Sequence, residues 1–490
     1  MNSKGRSSVI LRMAWFAFGI MAAGTALSTL AADITAGLHA GWSQSYDAGY
    51  LDCNGRYAGG SEIMHLTPHQ GKLYAANAYW KDSRWEGRPY ASRQSAQVLR
   101  LDSADSRWLL DLNMGESNDL GLRYMKGNIL KSVTFSLDAS GKPLPVPQNV
   151  LVMAAGAYKE GKSFVSAWVR DDAKGKWIHS IVKYGYWQQG VRWVPRDMEV
   201  YRDKVTGVER LFLLLGNPGI ISGVYDASLP SKIRWDEKIE FPNTGDFRAR
   251  PLGIVQANGS LLVSVGGVIY RRVDGPKARY VEILNLGEDV NTDVGGIRGL
   301  TAIANPSGEG ESLLFLWAPN GRSAGQIKRL DPDGLGGYTV HDEVKLRDLM
   351  HEKLGVEVGF VLGAHSEMYP IIHPVTSETL HLIGFQGILR GKENLQWNGS
   401  RLYAGAMYAI RAADGSYTVH EVNGPYAPGR PILVSPRTFA RSPFSDDRFF
   451  VGGHDSSNLR SDDMAWIFKA SVNTILGLDE NAQTNDHLPH

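Results

Sequence analysis

The 490-residue sequence contains one cysteine, Cys53. No internal disulfide can form even in an oxidising compartment, so the fold must be held by its core. An excess of either charge is also missing: 52 basic side chains face 51 acidic ones, for a net charge of +1. That balance argues against wholesale binding to nucleic acid or a membrane surface and confines electrostatic effects to local patches. The apolar run at residues 13–27 is shorter than the roughly 18 to 20 residues that a spanning helix needs, and no later run is longer. Several catalytic signatures are absent as well: the GxSxG elbow, the GxxxxGK[ST] phosphate loop, HExxH, the Asp-box of sialidases and the Trp-Asp endings of WD repeats.

Lys4, Arg6 and Arg12 precede the apolar run, and the small residues around Thr29-Leu30-Ala31 follow it. This layout predicts a cleavable export signal over 1–31, a secreted or periplasmic location and no stable membrane span after cleavage. The tail at 478–490 is expected to be disordered. With 43% apolar residues, the remainder is long enough for one large repeat fold.

A degenerate repeat runs through that remainder. Its units open with SEIMHL at Ser61, KSVTF at Lys131, RDMEVY at Arg196, RPLGIV at Arg250, RGLTAI at Arg298, SEMYPI at Ser366 and RTFARS at Arg437. Second strands follow as KLYAAN, NVLVMAAG, RLFLLLGN, SLLVSVGG, SLLFLWAPN, TLHLIGF and RFFVGGH. Third strands end in Arg or Asp, as in VSAWVRDD, VIYRRVDG, QIKRLDPDG and MYAIRAADG, and fourth strands carry Trp or Tyr, as in RWLLDL, IRWDEKI and SYTVHEV. Short aliphatic and aromatic runs bounded by Gly and Asp turns read as buried strands. Four antiparallel strands repeated seven times predict an all-β protein, a seven-bladed β-propeller occupying 35–477. A β-sandwich pair is the competing architecture. The last unit lacks its own fourth strand; residues 35–43 or the tail after Ala470 could supply it, and the N-terminal choice would close the ring without leaving a sheet edge. Longer insertions at 82–96, 114–127, 184–194, 288–297, 346–364 and 386–401 lie where a rigid scaffold carries binding loops.

In a four-stranded antiparallel blade, the start of strand one, the link from strand two to three and the end of strand four share one face. Strand one is innermost, so its opening residue is expected at the mouth of the central channel. Those openings are Ser61, Lys131, Arg196, Arg250, Arg298, Ser366 and Arg437, with Glu62 and Glu367 after the two serines and His365 before the second. The two-to-three links add Asn77, Asn217, Asn320 and His454, with Trp80 nearby. The pattern predicts a basic, aromatic-lined funnel that holds carboxylate, sulfate or phosphate groups through arginine forks. An exported location makes an acidic polysaccharide the expected ligand. The alternative is that the same cations pair with acids of the adjoining blade, such as Asp197, Glu199 or Asp226.

If the site is catalytic, β-elimination on a uronate fits first: an Arg or a divalent cation neutralises the carboxylate while His365, Tyr369 or His454 moves the proton. Hydrolysis by Glu62 and Glu367 is the second choice. His65 and His69 do not share one surface of a strand, so no metal pair is assigned to them. The seven-unit layout, with phrases such as RDKVTGVERLF, IISGVYD, GGIRGLTAI and HLIGF, resembles a bacterial group of exported seven-bladed propellers. In architecture it is similar to propeller-type polysaccharide lyases, although no stretch matches their motifs. The resemblance implies the fold alone; a glycan- or protein-binding scaffold without catalysis is the other function carried forward. A monomer is expected.

Overall fold

The computed structural model describes residues 41–478, apart from 83, 187, 189–190, 243–249, 288–294, 320–324, 356, 364–366, 392–402, 423–430 and 457–461. Consecutive strands hydrogen-bond to one another in antiparallel order and form successive four-stranded sheets. The chain is a seven-bladed β-propeller. The innermost strands are Glu62–His69, Ile129–Leu137, Met198–Arg202, Pro251–Ala257, Gly296–Ala304, a split strand in blade 6, and Leu433–Arg441. In blade 6, Val358–Gly363 and Tyr369–Ile372 pair with opposite ends of the same second strand, Thr379–Leu389. The first of these pieces lies in a stretch that the sequence reading gave to an insertion. The same stretch holds the helix Leu346–Leu354.

The seventh blade takes its outermost strand from the other end of the chain. Trp42–Asp47 pairs antiparallel with Ala465–Ser471, Trp42 opposite Ala470 and Asp47 opposite Trp466. The segment after Ser471 forms a short helix instead, Val472–Leu476, capped by the Ser471 side chain. Joining first and last strands in one sheet gives the seventh blade its fourth strand and pairs the outer edge of Ala465–Ser471.

Apolar residues on the two faces of each sheet pack between blades, which is why the strands read as near-continuous hydrophobic runs. One layer between blades 2 and 3 joins Val152, Val165, Met198 and Leu213. The layer between blades 7 and 1 joins Tyr46, Leu73, Trp108, Phe450 and Ile467. Similar layers separate every other pair of neighbouring blades. Each fully buried side chain of this size contributes about 1.5–3 kcal/mol relative to exposure. Glycine permits the closest inter-blade approach at Gly384, where an added Cβ would lie 1.6 Å from the Pro436 carbonyl oxygen.

The third-strand arginines clamp neighbouring blades at the periphery. Arg170 of blade 2 donates to Asp111 of blade 1 (2.9 Å), and Arg272 of blade 4 to Asp203 and Glu240 of blade 3 (2.8 and 2.7 Å). Arg411 of blade 6 grips Glu343 of blade 5 through two nitrogens, each at 2.7 Å. All three arginines are buried, where planar forks hold carboxylates better than ammonium groups do.

Candidate functional site: the channel and its mouth

The innermost strands set the depth of every channel residue through contacts between blades. Leu66 N donates to Thr438 Oγ1 (3.0 Å), Thr67 Oγ1 to the Leu130 carbonyl (2.9 Å), and Met368 N to Thr301 Oγ1 (2.8 Å). Ile254 N donates to Asp197 Oδ2 (3.2 Å). These bonds tie the inner strands of blades 7 and 1, 1 and 2, 3 and 4, and 5 and 6 near one level of the channel. Around that level lies a cavity of about 310 Å³ lined by residues from all seven blades, among them His65, Lys131, Arg196, Asp197, Glu367 and Arg437.

The opening residues do not form a single ring at the mouth. Lys131 is the third residue of its strand and Arg437 the fifth, because the strands begin two and four residues earlier than their polar openings. Lys131 sits well inside the channel and donates to Glu199 Oε2 (2.7 Å), Glu367 Oε1 (3.1 Å) and the Met198 carbonyl (2.9 Å). Gln256 of the next blade reaches the other oxygen of Glu199 at 3.1 Å. Lys131 therefore meets the alternative reading and is a link between blades. Burial disfavours its charge, but the acids Glu367, Asp197 and Glu199 outweigh burial and raise its pKa. Burial also pushes the neighbouring Asp197 upward, against the pull of Lys131.

Glu62 organises the mouth. It is 1% exposed; Oε2 accepts from Trp80 Nε1 and, at 3.1 Å, from Arg437. His454 Nδ1 lies 3.3 Å from Oε1, outside good hydrogen-bond alignment, and neither ring nitrogen of His454 has a hydrogen-bond partner among the described residues. Burial opposes ionisation of Glu62, yet the charges of Arg437 foremost and of Lys81 hold its carboxyl well below the usual range. Burial first, then Lys81, lowers His454 to about 4. At neutral pH the pair is a carboxylate beside a neutral imidazole, both sealed from solvent.

Two lysines flank the Trp80 ring: Lys81 Nζ at 5.0 Å and Lys126 Nζ at 5.3 Å from its centroid. Lys126 arrives there because the link from blade 1 to blade 2 pairs with the second strand of blade 1, Ala78 opposite Lys126. Burial, then the charges of Arg196 and Arg437, lowers Lys126 to about 7, with Arg250 adding to the repulsion and Glu62 opposing it. Lys81 is lowered to about 8 by burial, against the pull of Glu62. Arg196, Arg437 and Arg250 thus act on Lys126 across the mouth, with Glu62 opposing them. The sequence reading missed both lysines. The available signal was the two-to-three link itself, which continues one residue past Trp80, and the face shared by the link that precedes strand one of blade 2.

The remaining expected site residues divide clearly. Arg250 and Arg298 are buried at the inner ends of their blades. Asn77 is fully buried and structural: Nδ2 donates to Gln97 Oε1 (3.1 Å) and Oδ1 accepts from Gln97 N (2.7 Å). His365, Ser366 and Asn320 lie outside the described residues. Tyr369 and His454 are not brought together. The Tyr369 hydroxyl accepts from Arg441 N (3.0 Å), and Arg441 pairs with Phe449, five residues along the strand from His454. At about 3.3 Å per residue that is roughly 16 Å. Glu62 and Glu367 are held by different cations, Arg437 and Lys131. His65 and His69 tie blade 1 to blade 2 through the Asn128 carbonyl (2.6 Å) and Ser132 Oγ (2.8 Å). Among the described residues, no group of three His, Cys, Asp or Glu could hold a metal ion, and no helix is long and apolar enough to cross a membrane.

No protein-family profile and no curated protein sequence matches the chain. Among solved structures it is similar to the GH93 α-L-arabinofuranosidase of Fusarium graminearum, with 11% identity, 87% of this chain and 97% of that one covered, and a TM-score of 0.43. The Penicillium chrysogenum α-L-arabinanase gives 11%, 88%, 98% and 0.43 by the same measures. The BP39L lectin of Burkholderia pseudomallei gives 10%, 83%, 96% and 0.45. At these scores the likeness carries no argument about ligand or reaction.

Proposed function

We propose that this protein binds an anionic ligand, an acidic polysaccharide by class, at the basic mouth of its propeller channel. The observation that carries the reading is Lys126: a cation without a hydrogen-bond or ion-pair partner among the described residues, held against Trp80 and repelled by Arg196, Arg437 and Arg250. Crowded, partly desolvated cations are costly to hold together in the empty site, and an incoming carboxylate or sulfate relieves that cost. Binding is favoured over elimination because Tyr369 and His454 stand apart and His454 is sealed from solvent.

Calorimetric titration of the whole chain with oligogalacturonate, beside a neutral oligosaccharide of equal length, tests this. The acidic oligomer should bind and the neutral one should not. Lys126→Gln should weaken binding about tenfold or more, since a hydrogen bond to a charged group is worth about 1.5–3 kcal/mol. Equal binding of the neutral oligomer would overturn the proposal.

A further inference from the structure

A second pocket lies on blade 1 and shares no lining residue with the channel. Two of the long insertions build it. The 82–96 loop and the 114–127 link are tied by Arg123 N to Tyr90 Oη (2.9 Å), Arg123 Nη2 to the Ala91 carbonyl (3.0 Å), Tyr124 N to Ser95 Oγ (3.1 Å) and Ala96 N to the Tyr124 carbonyl (2.7 Å). Between them is a cavity of about 320 Å³, lined by Arg56, Arg93, Arg123, Glu116, Tyr79 and Gln94 among others.

Three guanidinium groups meet one carboxylate there. Arg56 spends one donor on the Leu110 carbonyl (2.9 Å). Arg93 uses the Arg88 and Glu86 carbonyls (3.2 and 2.6 Å) and stacks over Trp85 at 4.7 Å. None of the three forms an ion pair among the described residues. Glu116 accepts from Asn113 Nδ2 (2.9 Å), and nearby Asp82 is already occupied by Arg84 and Arg88 (3.0 and 3.2 Å). A guanidinium carries five N–H donors; Arg56 acts on Asp52 through its charge, and the described carboxylates take no direct ion pair from the three. Two further buried atoms, Tyr79 Oη and Gln94 Oε1, and Nε of Arg123 itself lack a hydrogen-bond partner among the described residues. Buried polar groups are rarely left so, and a cluster of them on one cavity marks the outline of something that binds there.

We infer that this pocket is a second binding site, for a small polyhydroxylated ligand carrying an oxyanion group. The oxyanion sits among Arg56, Arg93 and Arg123, and hydroxyls meet Tyr79 and Gln94.

Galacturonate, inorganic sulfate and glucose, each titrated to about 10 mM against the whole chain, test the site. Galacturonate and sulfate should bind saturably and glucose should not. In a Lys126→Gln background, which weakens the channel mouth, both anions should still bind saturably; adding Arg56→Gln should weaken both about tenfold, and adding Tyr79→Phe should weaken galacturonate a few-fold. Because Arg56 also holds a carbonyl, each variant's thermal transition is recorded; Tyr79→Phe removes only a hydroxyl and serves where Arg56→Gln unfolds. The inference fails if neither anion binds the Lys126→Gln chain saturably, or if folded Arg56→Gln and Tyr79→Phe, each added to it, bind both anions as that chain does. Loss through Lys126→Gln alone would assign the binding to the channel mouth and overturn the second site.

Discussion

Lys126 makes the mouth of the channel sensitive to pH in a direction that can be worked out. In the empty protein it is lowered to about 7, first by burial and then by the surrounding arginines. A bound anion favours the ammonium form and returns the pKa toward the ordinary lysine value of about 10.4. Binding above pH 7 must therefore take up a proton. Each pH unit above the empty-state value weakens the observed affinity about tenfold until the bound-state value is reached. Between pH 7 and 9 the dissociation constant should rise about a hundredfold, with Lys81, lowered to about 8, steepening the upper half. A uronate ligand stays ionised throughout, so the slope belongs to the protein. The assay is calorimetric titration with oligogalacturonate at pH 6.5, 7.5 and 8.5, repeated in buffers of different ionisation enthalpy to count protons. Lys126→Arg should remain charged and flatten the curve between pH 7 and 8, whereas Lys126→Gln should bind weakly at every pH. A native dissociation constant that varied less than about twofold from pH 6.5 to 8.5 would refute the reasoning.

Three further outcomes follow from the fold. Arg411→Ala leaves Glu343 buried beside Arg329 and Tyr417 with its main partner gone, and should cost about 3–5 kcal/mol in the denaturation midpoint; a change below about 1 kcal/mol would show that the inter-blade clamp does not matter. Deleting Trp42–Asp47 exposes the edge of Ala465–Ser471 and strips Trp42 and Tyr46 from two hydrophobic layers, so a lowered melting temperature with concentration-dependent association is expected by light scattering. His65, His381 and His454 are each lowered to about 4, by burial first. The unfolded chain takes up their protons near pH 6.5 and the folded chain does not, so this part of the stability is complete above that pH and is lost as pH falls toward 4. The slope approaches about 1.4 kcal/mol per pH unit for each histidine, and melting temperatures equal at pH 7 and 5 would contradict it.

Much of the channel's charge was visible as residue types but not as partners. Arg196, Arg250, Arg298 and Arg437 were legible because polar residues at strand openings interrupt apolar runs. Their depth was not, since KSVTF and RTFARS hide the apolar starts Ile129-Leu130 and Leu433-Val434 of the same strands. The bulge between Val434 and Thr438 adds a further shift that no pattern announces. Trp80 was found as an aromatic on the right link, while Lys126 required knowing that its own link folds back onto Ala78.

Local chemistry settled the repeat. Short apolar strands, Gly and Asp turns and a third-strand Arg recur because each blade needs them within a few dozen residues, and they specify seven blades without reference to distant parts of the chain. The tertiary structure decided what happens between blades. Glu62 meets Arg437 across 375 positions and Lys131 meets Glu367 across 236, and Trp42–Asp47 rather than the tail closes the ring. Such contacts depend on ring closure and on the relative slide of neighbouring sheets. Both are set by packing over the whole domain, which leaves no periodic trace along the sequence.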